Sequence, residues 1–99
     1  MINPFTIMKI IEENYHLPAG TMAAEERGRT RIEAEARAVA MYLVREHTRY
    51  SFAEIGRHFN KHYSTVIFNC NKIEKIVQKG CNPYISKLIL KVERQLKES

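Results

Sequence analysis

Apolar residues recur at intervals of three and four along most of this chain, and polar punctuation divides them into five helical segments. Asn3 and Pro4 read as an N-cap followed by proline in the first turn. They open a helix over about 4–15 in which Phe5, Met8, Ile11 and Tyr15 are expected to face inward. Leu17, Pro18 and Gly20 break that pattern, and a short turn is expected at 21–24. A longer helix follows over about 32–46, burying Ala36, Val39, Ala40, Leu43 and Val44, with Met41 and Tyr42 completing the packing. Asn82 and Pro83 repeat the cap-and-proline signal before a final helix over about 83–97, whose Ile85, Leu88, Ile89, Val92 and Leu96 share one face. No useful run alternates with the period of two that a strand requires. The expected fold class is therefore all-α, a single compact helical domain over 1–99.

The segment between those helices, SFAEIGRHFNKHYSTVIFNCNKIEKI (51–76), carries the strongest signal. Ser51 and Glu54 have the spacing of a capping box, in which each side chain satisfies a backbone donor of the other. Phe52, Ile55 and Phe59 then face a core. Gly56 sits inside this short helix at a cost of roughly 1 kcal/mol relative to alanine, which points to close approach by a neighbouring helix. Asn60 and Lys61 suit a turn, because asparagine tolerates the left-handed conformation that ends a helix. A second helix starts near Tyr63 or Ser64 and runs to about Lys79, with Val66, Cys70, Ile73 and Val77, and Ile76 beside them, as its apolar stripe.

Two helices joined by a short polar turn are the frame that lays a helix end into the DNA major groove. The tip here carries Lys61, His62, Tyr63, Ser64 and Thr65, and the outward face continues through Phe68, Asn69, Asn71 and Lys72. His62, Tyr63, Ser64 and Thr65 are the candidates for base-edge contact, Thr65 through its methyl group to thymine. Upstream, Arg27, Arg29 and Arg31 form a basic loop suited to phosphates or to the minor groove. Taken alone, the helix pair also fits an ordinary hairpin with a solvated polar face.

Charge changes the picture through its distribution. The net charge is +5 and the isoelectric point about 9.4. Residues 1–26 hold one lysine against four glutamates, a net −3, whereas residues 27–99 hold fifteen basic against seven acidic side chains, a net +8. Positive charge begins at the basic loop and runs through the helix pair, which suits a polyanionic partner.

Other chemistries find little support. The four glycines are scattered and no G-x-x-x-x-G-K-[ST] loop occurs, so no nucleotide motor is encoded, no cofactor is expected and the chain does not read as an enzyme. His47 lies near Ser51 without an orienting third group, and Ser51 is explained as a cap. His58, His62, Cys70 and Cys81 match no metal-finger spacing, and no metal site is expected. Tyr63 and Phe68 alone are too few for a single-strand stacking platform, since Phe5, Phe52 and Phe59 read as core. No apolar run approaches membrane-spanning length and no signal peptide is evident, so a cytoplasmic location and two free thiols are expected.

From residue 29 to 76 the chain resembles the C-terminal DNA-binding domain (domain IV) of the bacterial replication initiator DnaA. The matching pieces are GRTRI (28–32), ARAVAMYLVREHT (36–48), SFAEIGRHF (51–59), STVI (64–67) and NKIEKI (71–76), in the family's order and nearly its spacing. Residues 5–21 and 83–96 correspond to the family's leading and closing helices. The resemblance implies binding to short duplex sites, the DnaA boxes of replication origins, with the recognition helix in the major groove and a basic-loop arginine in the minor groove. By position that arginine is Arg29, with Arg31 beside it. Arg37 matches a phosphate-holding arginine, Ser64 and Thr65 match two hydroxyl residues of the recognition helix, and Lys72 matches a basic residue farther along.

One departure bears on sequence preference. The family's Gly-Gly-Arg-Asp-His run is replaced by Asn60, Lys61, His62 and Tyr63, one residue shorter, and a carboxylate able to accept from a cytosine amino group is lost. Duplex DNA is thus the expected partner, with a monomer favoured. Two alternatives use the same fold: a transcriptional regulator, and a protein–protein adaptor that binds a replication initiator or another replication protein. Met1 favours a stand-alone chain over a fragment.

Overall fold

The computed structural model describes residues 2–24 and 30–98. Among them the chain forms five α-helices and one short 3-10 turn, with no strand. Helix α1 spans Pro4–Asn14, the 3-10 turn Thr21–Ala23, α2 Arg31–His47, α3 Phe52–Phe59, α4 Tyr63–Lys79 and α5 Pro83–Glu98. The central element is α2, which packs against all four other helices and most extensively against α4.

Local chemistry sets the helix starts. Asn3 caps α1 by accepting from the Phe5 N–H at 2.8 Å, with Pro4 in the first turn. Capping boxes open α2, from Thr30 and Glu33, and α3, from Ser51 and Glu54. The first of these moves the start of α2 back to Arg31, which is the first helical residue instead of part of a loop. In the second box, the Ser51 backbone and side-chain hydrogen bonds hold the Glu54 carboxyl below its ordinary range.

The core combines Ile7, Met8 and Ile11 of α1 with the small-residue face of α2, Ile55 and Phe59 of α3, Val66, Cys70 and Ile73 of α4 and the apolar stripe of α5. The expected faces of α2 and α5 are buried. In α1 the phase differs: Pro4, Ile7, Met8 and Ile11 form the buried stripe, and Phe5 is 61% exposed. Ile7 recentres the stripe by one position, which rotates Phe5 outward by about 100° from Pro4. Its ring lies 5.1 Å from that of His58.

Polar contacts fix the outer helices. The Tyr15 hydroxyl donates to Glu35 at 2.7 Å, and burial, reinforced by that carboxylate, pushes the phenol well above its ordinary 10. Glu93 of α5 lies 2.9 Å from His47 at the end of α2. The Arg45 guanidinium lies 4.0 Å from the Phe52 ring centroid and donates to the Tyr50 carbonyl, bracing the α2–α3 connection. Both cysteines are free thiols, Cys70 buried and Cys81 exposed.

Candidate nucleic-acid interface

The turn between α3 and α4 is short because its backbone is drawn tightly over α3. Asn60 ends α3 in the left-handed region at φ 55°, and its neighbour Lys61 donates its N–H to the Gly56 carbonyl at 2.9 Å. A side chain at Gly56 would place its Cβ only 2.5 Å from the Lys61 carbonyl oxygen. The close approach implied by this glycine is made first by the turn, at the Lys61 carbonyl, with Tyr63, the first residue of α4, next at 3.5 Å.

That turn is also tied to the residues just before the basic segment. The Asn60 side-chain amide donates to the Ala23 carbonyl at 2.6 Å, and the Lys61 ammonium lies 3.4 Å from the Ala24 carbonyl. At the other end of the same stretch, Thr30 is held by its capping box. Arg27 and Arg29, expected in the basic loop, lie outside the described residues.

Helix α4 begins at a tip that points away from the core. His62, Tyr63 and Ser64 are all exposed, and the His62 and Tyr63 rings are 4.4 Å apart. His62 is itself the N-cap, accepting from the Ser64 N–H at 3.2 Å through Nδ1, with the Ser64 hydroxyl 2.9 Å from the same nitrogen. No acidic residue stands in this first turn, so its positive dipole end is not neutralised by a carboxylate there.

Beyond the tip, two depressions lie between α2 and α4. One, of about 360 Å³, is lined by Arg37, Lys61, Thr65 and Asn69. The other, of about 490 Å³, has Arg31, Glu35, Phe68, Asn69 and Lys72 around an apolar floor that extends to Ile85 of α5. Asn69 borders both and reaches inward, its amide 3.3 Å from the Met41 sulfur. Phe68 is 67% exposed. The structure thus gathers seven of the singled-out residues along two adjoining grooves and sets His62, Tyr63 and Ser64 at the protruding end.

Arg37 has a structural role that the sequence did not signal. It is only 3% exposed, with Nε donating to the Met22 carbonyl at 3.2 Å and Nη2 to the Thr21 carbonyl at 2.9 Å. Sequence reasoning also missed the Thr30–Glu33 box, although T-x-x-E ahead of an apolar-periodic run is its signature. Local chemistry marks Asn60 as a turn residue, but its contact with Ala23 spans 37 positions and has no local signal.

Among the described residues, no group of three or more histidine, cysteine or acidic side chains converges as metal ligands do, and no helix is long and apolar enough to cross a membrane.

A short helix, a glycine-tight turn and a second helix with an exposed polar tip together define a helix-turn-helix domain. The bacterial DnaA protein helix-turn-helix family matches residues 4–73, and the chain belongs to that family. It is similar to the chromosomal replication initiator protein DnaA of Synechocystis sp., with 38% identity over 77 residues, 77% of this chain and 17% of that protein. The protein of the same name from Methylobacillus flagellatus is 36% identical over 77% of this chain and 16% of its own length. That from Lachnoclostridium phytofermentans is 36% identical over 74% of this chain and 16% of its own length. The chain thus spans about a sixth of the length of these relatives.

Proposed function

We propose that this chain binds double-stranded DNA, seating the tip of α4 in the major groove at sites resembling DnaA boxes, in replication initiation or its control. The observation that carries this reading is the exposed tip of α4, with no acidic residue in its first turn, beside two grooves bordered by Arg31, Lys61 and Lys72. Its positive dipole end and the polar side chains at the tip suit phosphate and base-edge acceptors alike.

In this arrangement Lys61, His62, Tyr63, Ser64, Thr65, Phe68 and Asn69 face the major groove. Lys72 takes a backbone phosphate; Arg37, given the same task by its family position, also anchors the 3-10 turn ahead of the basic segment. Arg27, Arg29 and Arg31 serve the adjacent minor groove, with Arg29 as the inserted side chain by its family position. The relatives' names, which describe chromosomal replication initiators, support the link to replication.

Fluorescence anisotropy with labelled duplexes at several salt concentrations tests the reading. Several phosphate contacts predict a logarithm of affinity that falls steeply and linearly with the logarithm of salt. Weak, salt-insensitive association without preference among duplexes would instead assign the fold to a protein-binding adaptor.

A further inference from the structure

The hydrogen bonds at the start of α4 determine which nitrogen of His62 carries its proton. A backbone N–H can only donate, so Nδ1, which receives the Ser64 N–H at 3.2 Å, must be the bare nitrogen. The Ser64 hydroxyl, 2.9 Å away, then donates its proton to the same atom. A neutral imidazole with an unprotonated Nδ1 holds its hydrogen on Nε2. No hydrogen bond among the described residues engages Nε2, and the side chain is exposed at the helix tip.

We infer that His62 is a specificity-determining residue that presents a fixed N–H donor to the major groove, selecting a base with an acceptor edge and disfavouring cytosine. This rests on the duplex-binding reading above. Guanine offers N7 and O6 in the major groove, adenine N7 and thymine O4, whereas cytosine presents its amino donor. A donor aimed at that amino group leaves two hydrogens facing each other. Guanine, with two acceptors on one edge, tolerates the widest range of Nε2 positions and is the expected first choice.

The cap geometry also supplies the test. Aspartate and asparagine are nearly the same size, and both are among the best N-caps, able to accept the Ser64 N–H with one oxygen. They differ in what the remaining atom offers: asparagine keeps an outward donor, aspartate replaces it with an acceptor. Selection of bound sites from a random duplex pool, run in parallel on the unaltered protein, His62→Asn and His62→Asp, reads the difference directly. Circular dichroism melting of each protein confirms that α4 forms.

The expected result is that the unaltered protein and His62→Asn disfavour cytosine at one common position, with guanine preferred on the order of tenfold. His62→Asp reverses that position to cytosine and leaves the others alone. Identical base choice by the asparagine and aspartate variants, or cytosine in the unaltered protein, would overturn the assignment while duplex binding stood. Failure of all three folded proteins to retain any duplex would overturn both.

Discussion

Glu12 and Arg37 hold opposite ends of a single residue, Met22. The Glu12 carboxylate accepts the Met22 N–H at 2.9 Å and the Gly20 N–H at 3.1 Å, while Arg37 donates to the Met22 and Thr21 carbonyls. Both side chains are buried, at 6% and 3% exposure, and Met22 is fully enclosed. The 3-10 turn is thereby gripped on its donor and acceptor sides at once, directly ahead of the carbonyls that receive Asn60 and Lys61.

Removing one side of this clamp leaves buried backbone groups of the 3-10 turn without their charged partner. Arg37→Met and Glu12→Gln are each expected to lower unfolding free energy by about 1–3 kcal/mol. Urea titration with an unchanged slope checks this. An Arg37 variant of full stability but weakened duplex affinity would show that phosphate contact is its main task.

Gly56 sets two effects against each other. Alanine gains about 1 kcal/mol of helix propensity, but its Cβ would meet the Lys61 carbonyl oxygen at 2.5 Å. That partner is backbone and cannot swing aside. Gly56→Ala should therefore destabilise the domain by about 1–3 kcal/mol net, as overpacking does elsewhere; a raised melting temperature would contradict it.

Asn60 allows its two roles to be separated. Asn60→Gly keeps the left-handed turn and loses only the bond to Ala23, whereas Asn60→Val also strains the backbone at φ 55°. Losses of about 1 kcal/mol for glycine and clearly more for valine are expected. Amide hydrogen exchange should report faster opening at Ala23 and Ala24 in both.

The cysteines should differ sharply in reactivity. Burial raises the Cys70 thiol from 9.0 to about 11, while Cys81 is exposed. At pH 8, iodoacetamide should modify Cys81 promptly and Cys70 only upon unfolding. Because the folded value is the higher one, the stabilisation from keeping Cys70 neutral is complete below pH 9. It is lost as pH climbs from about 9 through about 11, and Cys70→Ala should flatten stability across that interval.

Much of this architecture was legible because it rests on local rules. The Ser51–Glu54 box, the Pro4 and Pro83 starts and the stripes of α2 and α5 are short-range patterns, and the structure forms them where they occur. Phe5 escaped because spacing alone does not say which of two adjacent stripes faces inward, and Ile7 decided the matter. Glu12 and Arg37 escaped for a different reason. A buried charge is justified by partners far along the chain, and no local pattern announces that Thr21 and Met22 will arrive beside α2. The tip residues were legible as exposed and polar, but the tautomer of His62 depends on where the Ser64 N–H lies.

The most direct measurement is a ¹⁵N–¹H spectrum of the folded protein titrated with a short duplex at low ionic strength. The account predicts that shifts concentrate at 61–69 with Arg31 and Lys72, diminish as salt is added, and leave the outward face of α5 unmoved. Undisturbed signals at His62, Tyr63 and Ser64 in a duplex-saturated sample would contradict it.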